Sequence, residues 1–122
     1  MNMLEHISLP VTNFAKSKKF YLAALKPLGY KLHRDYSPGA AGFFEGGHTS
    51  FWISRKKHTV EIHVAFLAKS RRAVQAFYAA ALKAGGKDNG KPGRREGYGY
   101  AAFIHDPDGH NIEAVLFEKG DE

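Results

Sequence analysis

Residues 20–29 read FYLAALKPLG, and residues 77–86 read FYAAALKAGG. Seven of these ten positions are identical, at a constant offset of 57. Extended backwards without a gap, the match aligns His6 with His63, Ile7 with Val64, Leu9 with Phe66 and Asn13 with Ser70. Ala/Leu/Lys-rich helices resemble one another by chance. A histidine at the same distance before each one makes duplication the better reading. The chain then divides into two equivalent modules of one domain, approximately residues 1–57 and 58–122.

Each module opens with a strand followed by a helix. His6–Val11 and Glu61–Leu67 alternate in hydropathy and carry strand-forming residue types, with Pro10 suited to a strand end or edge. Asn13 and Ser70 are helix N-caps, and Gly29 and Gly85-Gly86 are helix stops. Phe14, Tyr21, Ala24 and Leu28, flanked by Phe20 and Leu25, form an apolar helical stripe. Val74, Phe77, Tyr78, Ala81 and Leu82 repeat it. Short strands follow each helix: Tyr30–Tyr36, Ala41–Glu45 and Thr49–Arg55, then Lys87–Asn89, Tyr98–His105 and Asn111–Phe117. The last two are joined at Asp106-Pro107-Asp108-Gly109, which has the residues of a type I turn. The expected fold class is α+β: two βαβββ modules forming a cupped mixed sheet with helices on its outer face.

Strand parity then sorts the side chains. Ile7, Leu9, Val64 and Phe66 face the helices, so His6, Ser8, His63 and Ala65 face the opposite side, a trough. In the final strand Ile112, Ala114 and Leu116 take the helix side, which puts Glu113 in the trough with the two histidines. Two neutral imidazoles and one carboxylate make a three-point site for a divalent cation, leaving positions open for water or substrate. Fe(II), Mn(II), Ni(II), Co(II) and Zn(II) all suit such a donor set. A cation would also offset the cost of burying Glu113, several kcal/mol or more for an isolated ion.

Composition narrows the classes. Hydrophobic residues make up 43% and aromatic ones 13%, which argues for a folded chain. With no cysteine, there are no disulfides, thiolate ligands or cysteine nucleophile. No apolar run reaches membrane-spanning length, and residues 1–5 lack the features of a signal peptide, so a cytoplasmic location away from membranes is expected. Eighteen Lys and Arg against twelve Asp and Glu give a formal charge of +6, which favours small anionic ligands. Nucleic acid is disfavoured because no nucleic-acid-binding motif is found.

The stretches HISLPVTNFAKSKKFY, HVAF and DPDGHNIEAV resemble the vicinal oxygen chelate superfamily, which includes glyoxalases, fosfomycin-resistance enzymes, extradiol dioxygenases and bleomycin-resistance proteins. The resemblance covers nearly the whole chain, and the closing motif is its most specific part. It implies paired βαβββ modules, a homodimer, and His6, His63 and Glu113 at the usual ligand positions. It further implies a divalent-metal-dependent lyase or transferase acting on a small oxygen-chelating substrate, with a thiol as one candidate co-substrate. The alternatives are an Fe(II) ring-cleaving dioxygenase and a non-catalytic small-molecule binding or resistance protein.

Aligning GHTSF (47–51) with GHNIE (109–113) sets Phe51 opposite Glu113, where glyoxalase I carries a glutamate ligand that also moves the substrate proton. Proton transfer then needs another group, for which Tyr98, Tyr100, His48 and His110 are the candidates. Ser8, Phe51, Arg94 and Arg95 are the candidate substrate contacts. The two arginines lie in KDNGKPGRREGYG (87–99), a stretch with the glycines of a mobile loop.

Overall fold

The computed structural model describes residues 3–118. The first module runs β1 (Ile7–Val11), α1 (Phe14–Leu25), a 3-10 turn (Lys26–Leu28), β2 (Lys31–Tyr36), β3 (Ala40–Glu45) and β4 (His48–Arg55). The second runs β5 (His63–Leu67), α2 (Arg71–Lys83), β6 (Lys87–Arg95), β7 (Gly99–His105) and β8 (Asn111–Leu116). Each forms a four-stranded mixed sheet, ordered β1-β4-β3-β2 and β5-β8-β7-β6. The order strand, helix, three strands is thus repeated as the duplication requires.

The caps act where the sequence puts them. Asn13 accepts from the Lys16 amide at 3.3 Å and Ser70 from the Ala73 amide at 3.0 Å. Gly29 ends the first helical segment at φ +93°, a conformation that other residues adopt only at a cost. Phe14, Phe20, Tyr21, Ala24, Leu25 and Leu28 are buried, as are Val74, Phe77 and Ala81, while Leu82 stays at the surface. These stripes pack on Leu9, Val11, Ile53, Ile104, Ile112 and Ala114 from the strands, giving one core shared by both modules.

One expected loop is a strand. Residues 87–95 pair with β7 through two register shifts, so most of KDNGKPGRREGYG is edge strand β6 rather than a mobile flap. Its glycines and proline conceal the alternation by which a strand is recognised.

The turn before β8 clasps the modules together. The Gly109 amide donates to the Asp106 carbonyl at 2.9 Å, closing the expected turn. Asp106, 5% exposed, accepts from the Asp108 and His110 amides at 2.9 Å each and from the Tyr21 hydroxyl of α1 at 2.5 Å. Asp108 accepts from the backbone and hydroxyl of Thr12. The fully buried His110 accepts at Nδ1 from the Ile62 amide, so its Nε2–H donates to the Pro10 carbonyl at 2.8 Å. The motif that carries the resemblance therefore ties β1 and α1 to the second module.

Candidate functional site

In β8 the pleat turns Ile112 and Ala114 into the core and Glu113 to the other face, between its cross-strand neighbours Ala65 and Phe103. Glu113 is nevertheless fully buried. Its oxygens meet His63 Nε2 at 2.8 Å and the hydroxyl of Tyr98, which donates to it. No lysine or arginine pairs with it among the described residues. The His63 side chain is 51% exposed and its ring lies 6.3 Å from that of Phe103. Burial and the neighbouring carboxylate push the Tyr98 phenol up to about 12.

That shift is measurable. Phenolate absorbance, taken as the difference between the protein and its Tyr98→Phe variant, is expected to rise with a midpoint near 12. Glu113→Gln is expected to move it down toward the ordinary tyrosine value of about 10. The folded value lies above the unfolded one. The stability Tyr98 contributes is therefore intact below about pH 10 and lost as the pH climbs through about 12. A midpoint unmoved by Glu113→Gln would contradict the contact.

His6 does not join this group. It lies at the start of the first sheet, where its Nδ1 meets Glu5 at 2.6 Å and His48 Nε2 approaches the same carboxylate at 3.4 Å. Among the described residues, no three His, Asp or Glu side chains are placed to hold one metal ion. Of the three expected donors His6, His63 and Glu113, one chain brings two together, His63 and Glu113, while His6 stands in the other module. Parity identifies the face a side chain occupies but not how two sheets are set against each other.

The equivalence of Phe51 and Glu113 is corrected. Ile7 pairs with Phe51 in β1·β4, whereas its repeat mate Val64 pairs with Ile112 in β5·β8. Phe51 therefore corresponds to Ile112, and Trp52 corresponds to Glu113. The reason is a bulge: Phe43 pairs with Phe51 and Phe44 with Thr49, leaving Ser50 as an extra residue in β4. Phe51 is 1% exposed in the core, its ring 5.1 Å from both Tyr21 and Phe66. It is a packing residue, and the motif alignment ran one residue out of register.

The other candidates separate clearly. Of the four proton-transfer candidates, Tyr98 alone touches Glu113. Tyr100 is buried on the helix side, its hydroxyl accepting from Gln75 at 2.9 Å and its ring under Arg71. His110 belongs to the clasp and His48 to the His6 end. Ser8 meets Ser54 at 2.6 Å across the first sheet, opposite Trp52. Arg94 is paired with Glu118 at 3.0 Å, while Arg95 donates to the Gly93 and Lys91 carbonyls and covers the Phe103 ring. Neither arginine reaches toward Glu113 through a hydrogen bond or ion pair among the described residues. Sequence reasoning missed Trp52, and its signal would have been strand register rather than motif.

Two modules of this topology with a carboxylate and a histidine on the trough face define a glyoxalase-like domain. The chain belongs to the Glyoxalase/Bleomycin resistance protein/Dioxygenase superfamily, whose family model matches residues 3–114. A crystal structure of a glyoxalase/bleomycin resistance protein from Albidiferax ferrireducens is 29% identical. It superimposes with a TM-score of 0.83 over 96% of this chain and 100% of that one. A lactoylglutathione lyase from Agrobacterium tumefaciens matches at TM-score 0.73 and 13% identity, over 95% of this chain and 94% of its own, which shows the shared fold. A glyoxalase-related enzyme from Fulvimarina pelagi matches at 0.74 and 15%, over 96% and 89%. No match to the sequence was found among curated proteins. No helix among the described residues is long and apolar enough to cross a membrane.

Proposed function

We propose that the protein is a divalent-metal-dependent lyase or transferase acting on a small oxygen-chelating, anionic substrate. Its metal centre would be completed by His6 of a second copy. The observation that carries this reading is the fully buried Glu113 with His63 Nε2 2.8 Å from it. An unpaired carboxylate at such a position costs several kcal/mol or more. Its partners here are one imidazole and one phenol, a set that lacks a fixed positive charge. An imidazole nitrogen and a carboxylate oxygen side by side are donor types that would suit a divalent cation, with His63 and Glu113 as the residues that would hold it.

The second copy is inferred from what one chain leaves open. β1 and β5 each have one neighbouring strand among the described residues. Around a groove of about 790 Å³ between the modules lie Leu4 and Leu67, each 68% exposed, and Phe117, 43% exposed. His6 stands on the rim of the same groove. A homodimer covering these residues would remove apolar surface from water and bring a third donor to His63 and Glu113.

A bound metal would act as a Lewis acid toward adjacent substrate oxygens. The chain's own residues supply the rest. Glu113 and His63 position the centre, Phe103 walls it, and Tyr98 holds a proton at its hydroxyl beside the carboxylate. Metal content after loading with Mn(II), Ni(II) or Zn(II) and removal of excess tests the reading. About one ion per chain is expected, with loss in each of His6→Ala, His63→Ala and Glu113→Ala. Unchanged content in these variants, or none in the parent, would favour a binding module without metal chemistry.

A further inference from the structure

We propose that the hollow beside His6 is a subsite for a planar, conjugated acid, an aromatic ring or its like carrying a carboxylate. The indole of Trp52 would bind the flat part and Arg34 the anion. The inference deepens the proposed function, because it assigns a substrate class to the half-site that contributes His6. Its observations are separate from those at Glu113.

The hollow, about 440 Å³, is lined by Glu5, His6, Arg34, Gly47, His48, Thr49 and Trp52. Trp52 holds the position that Glu113 holds in the second module, so this half-site presents a π surface where its counterpart presents a carboxylate. The indole lies close over Gly42, its cross-strand partner. A Cβ at Gly42 would stand 2.9 Å from Cε2 and Cζ2 and 2.7 Å from Thr49 Cγ2, so any larger residue would push the ring away. Tyr36, 61% exposed, stacks within 10° of parallel with its centroid 6.2 Å away. Tyr36 is outside the lining of the hollow, so together with Gly42 it sets the orientation of the indole that the hollow presents.

Charge completes the pattern. Arg34 is exposed and makes no side-chain hydrogen bond or ion pair among the described residues. The one carboxylate in the lining, Glu5, is already turned to His6 and His48. A guanidinium left unpaired beside an indole is suited to a ligand that joins an anion to a π system, since arginine binds carboxylates in a bidentate fork and aromatic faces stack on one another.

The chain's single tryptophan is Trp52, so fluorescence excited at wavelengths that tyrosine does not absorb reports on this hollow alone. Titrations with benzoate, cyclohexanecarboxylate and benzamide, in EDTA, compare the full acid with one lacking the ring and one lacking the charge. Saturable quenching by benzoate is expected, with the other two about tenfold weaker, as the loss of a stacking contact or a charge-assisted pair implies. Arg34→Gln should bring benzoate to the level of benzamide and leave benzamide unchanged. Gly42→Ala, checked for a native circular dichroism spectrum, should shift the emission and weaken benzoate. Absence of saturation, equal affinity for the three probes, or benzoate binding unaffected by Arg34→Gln would overturn the proposal. Because no metal is present, these outcomes are independent of the metal analysis, and either reading can fail without the other.

Discussion

Phe51→Glu is expected to leave no cooperatively folded protein, while Trp52→Glu, one residue on, is expected to fold. The two positions differ in which face of β4 they occupy. Phe51 is 1% exposed and packs against Tyr21 of α1, Phe43 of β3 and Phe66 of β5, so it joins both modules. Removing such a ring costs about 3–5 kcal/mol. An unpaired carboxylate in its place adds several kcal/mol more. Together these reach the whole stability of a typical domain, about 5–15 kcal/mol. Trp52 is only partly buried, on the opposite face. A glutamate there meets solvent and stands at the repeat-equivalent position of Glu113, where it would add an oxygen donor beside His6. Far-ultraviolet circular dichroism with thermal melting checks the pair. A folded Phe51→Glu protein would contradict the register described for β4.

The second large effect is expected at the clasp. Asp106→Ala should cost about 3–5 kcal/mol, because it strands the buried Tyr21 hydroxyl and His110 amide, at about 1–3 kcal/mol each, and frees the part-buried Asp108 amide, which water can reach at smaller cost. Tyr21→Phe removes one donor and leaves Asp106 with its two amides, so it should cost about 1–2 kcal/mol. In the double variant the loss should fall short of the sum, since the Tyr21 hydroxyl is no longer stranded. Urea unfolding of the four proteins measures this. Additive losses would show that the two side chains do not act as a pair. The effect reaches beyond local stability, because Asp106, Asp108 and His110 bind β1 and α1 of the other module.

Much of this architecture is legible from residues alone. The 57-residue offset predicts two equal modules, Asn13 and Ser70 mark the helix starts, and alternation in β8 separates Glu113 from its apolar neighbours. What was not legible has identifiable causes. Ser50 is an inserted bulge residue, and an ungapped motif alignment cannot detect it, so Phe51 was exchanged with Trp52. β6 is built of Gly, Pro and charged residues that carry no period of two. His110 is a proton-transfer candidate in sequence, yet both its nitrogens are used within the clasp. His6 and His63 share a face by parity, but how the two sheets are set against each other is not written in parity, and among the described residues the two histidines do not enter one three-donor cluster.

The proposed centre, drawing His6 from one copy and His63 with Glu113 from another, is tested most directly by mixing two defective proteins. His6→Ala and Glu113→Ala are each expected to retain no metal. Dissociated together and reassociated, they should form mixed dimers with one intact site and one that lacks both contributions. Metal content measured on the isolated mixed dimer should therefore return to about half of that of the unmutated protein. A mixed dimer as empty as its parents, while the unmutated protein holds metal, would place all three donors within a single chain and contradict the shared site.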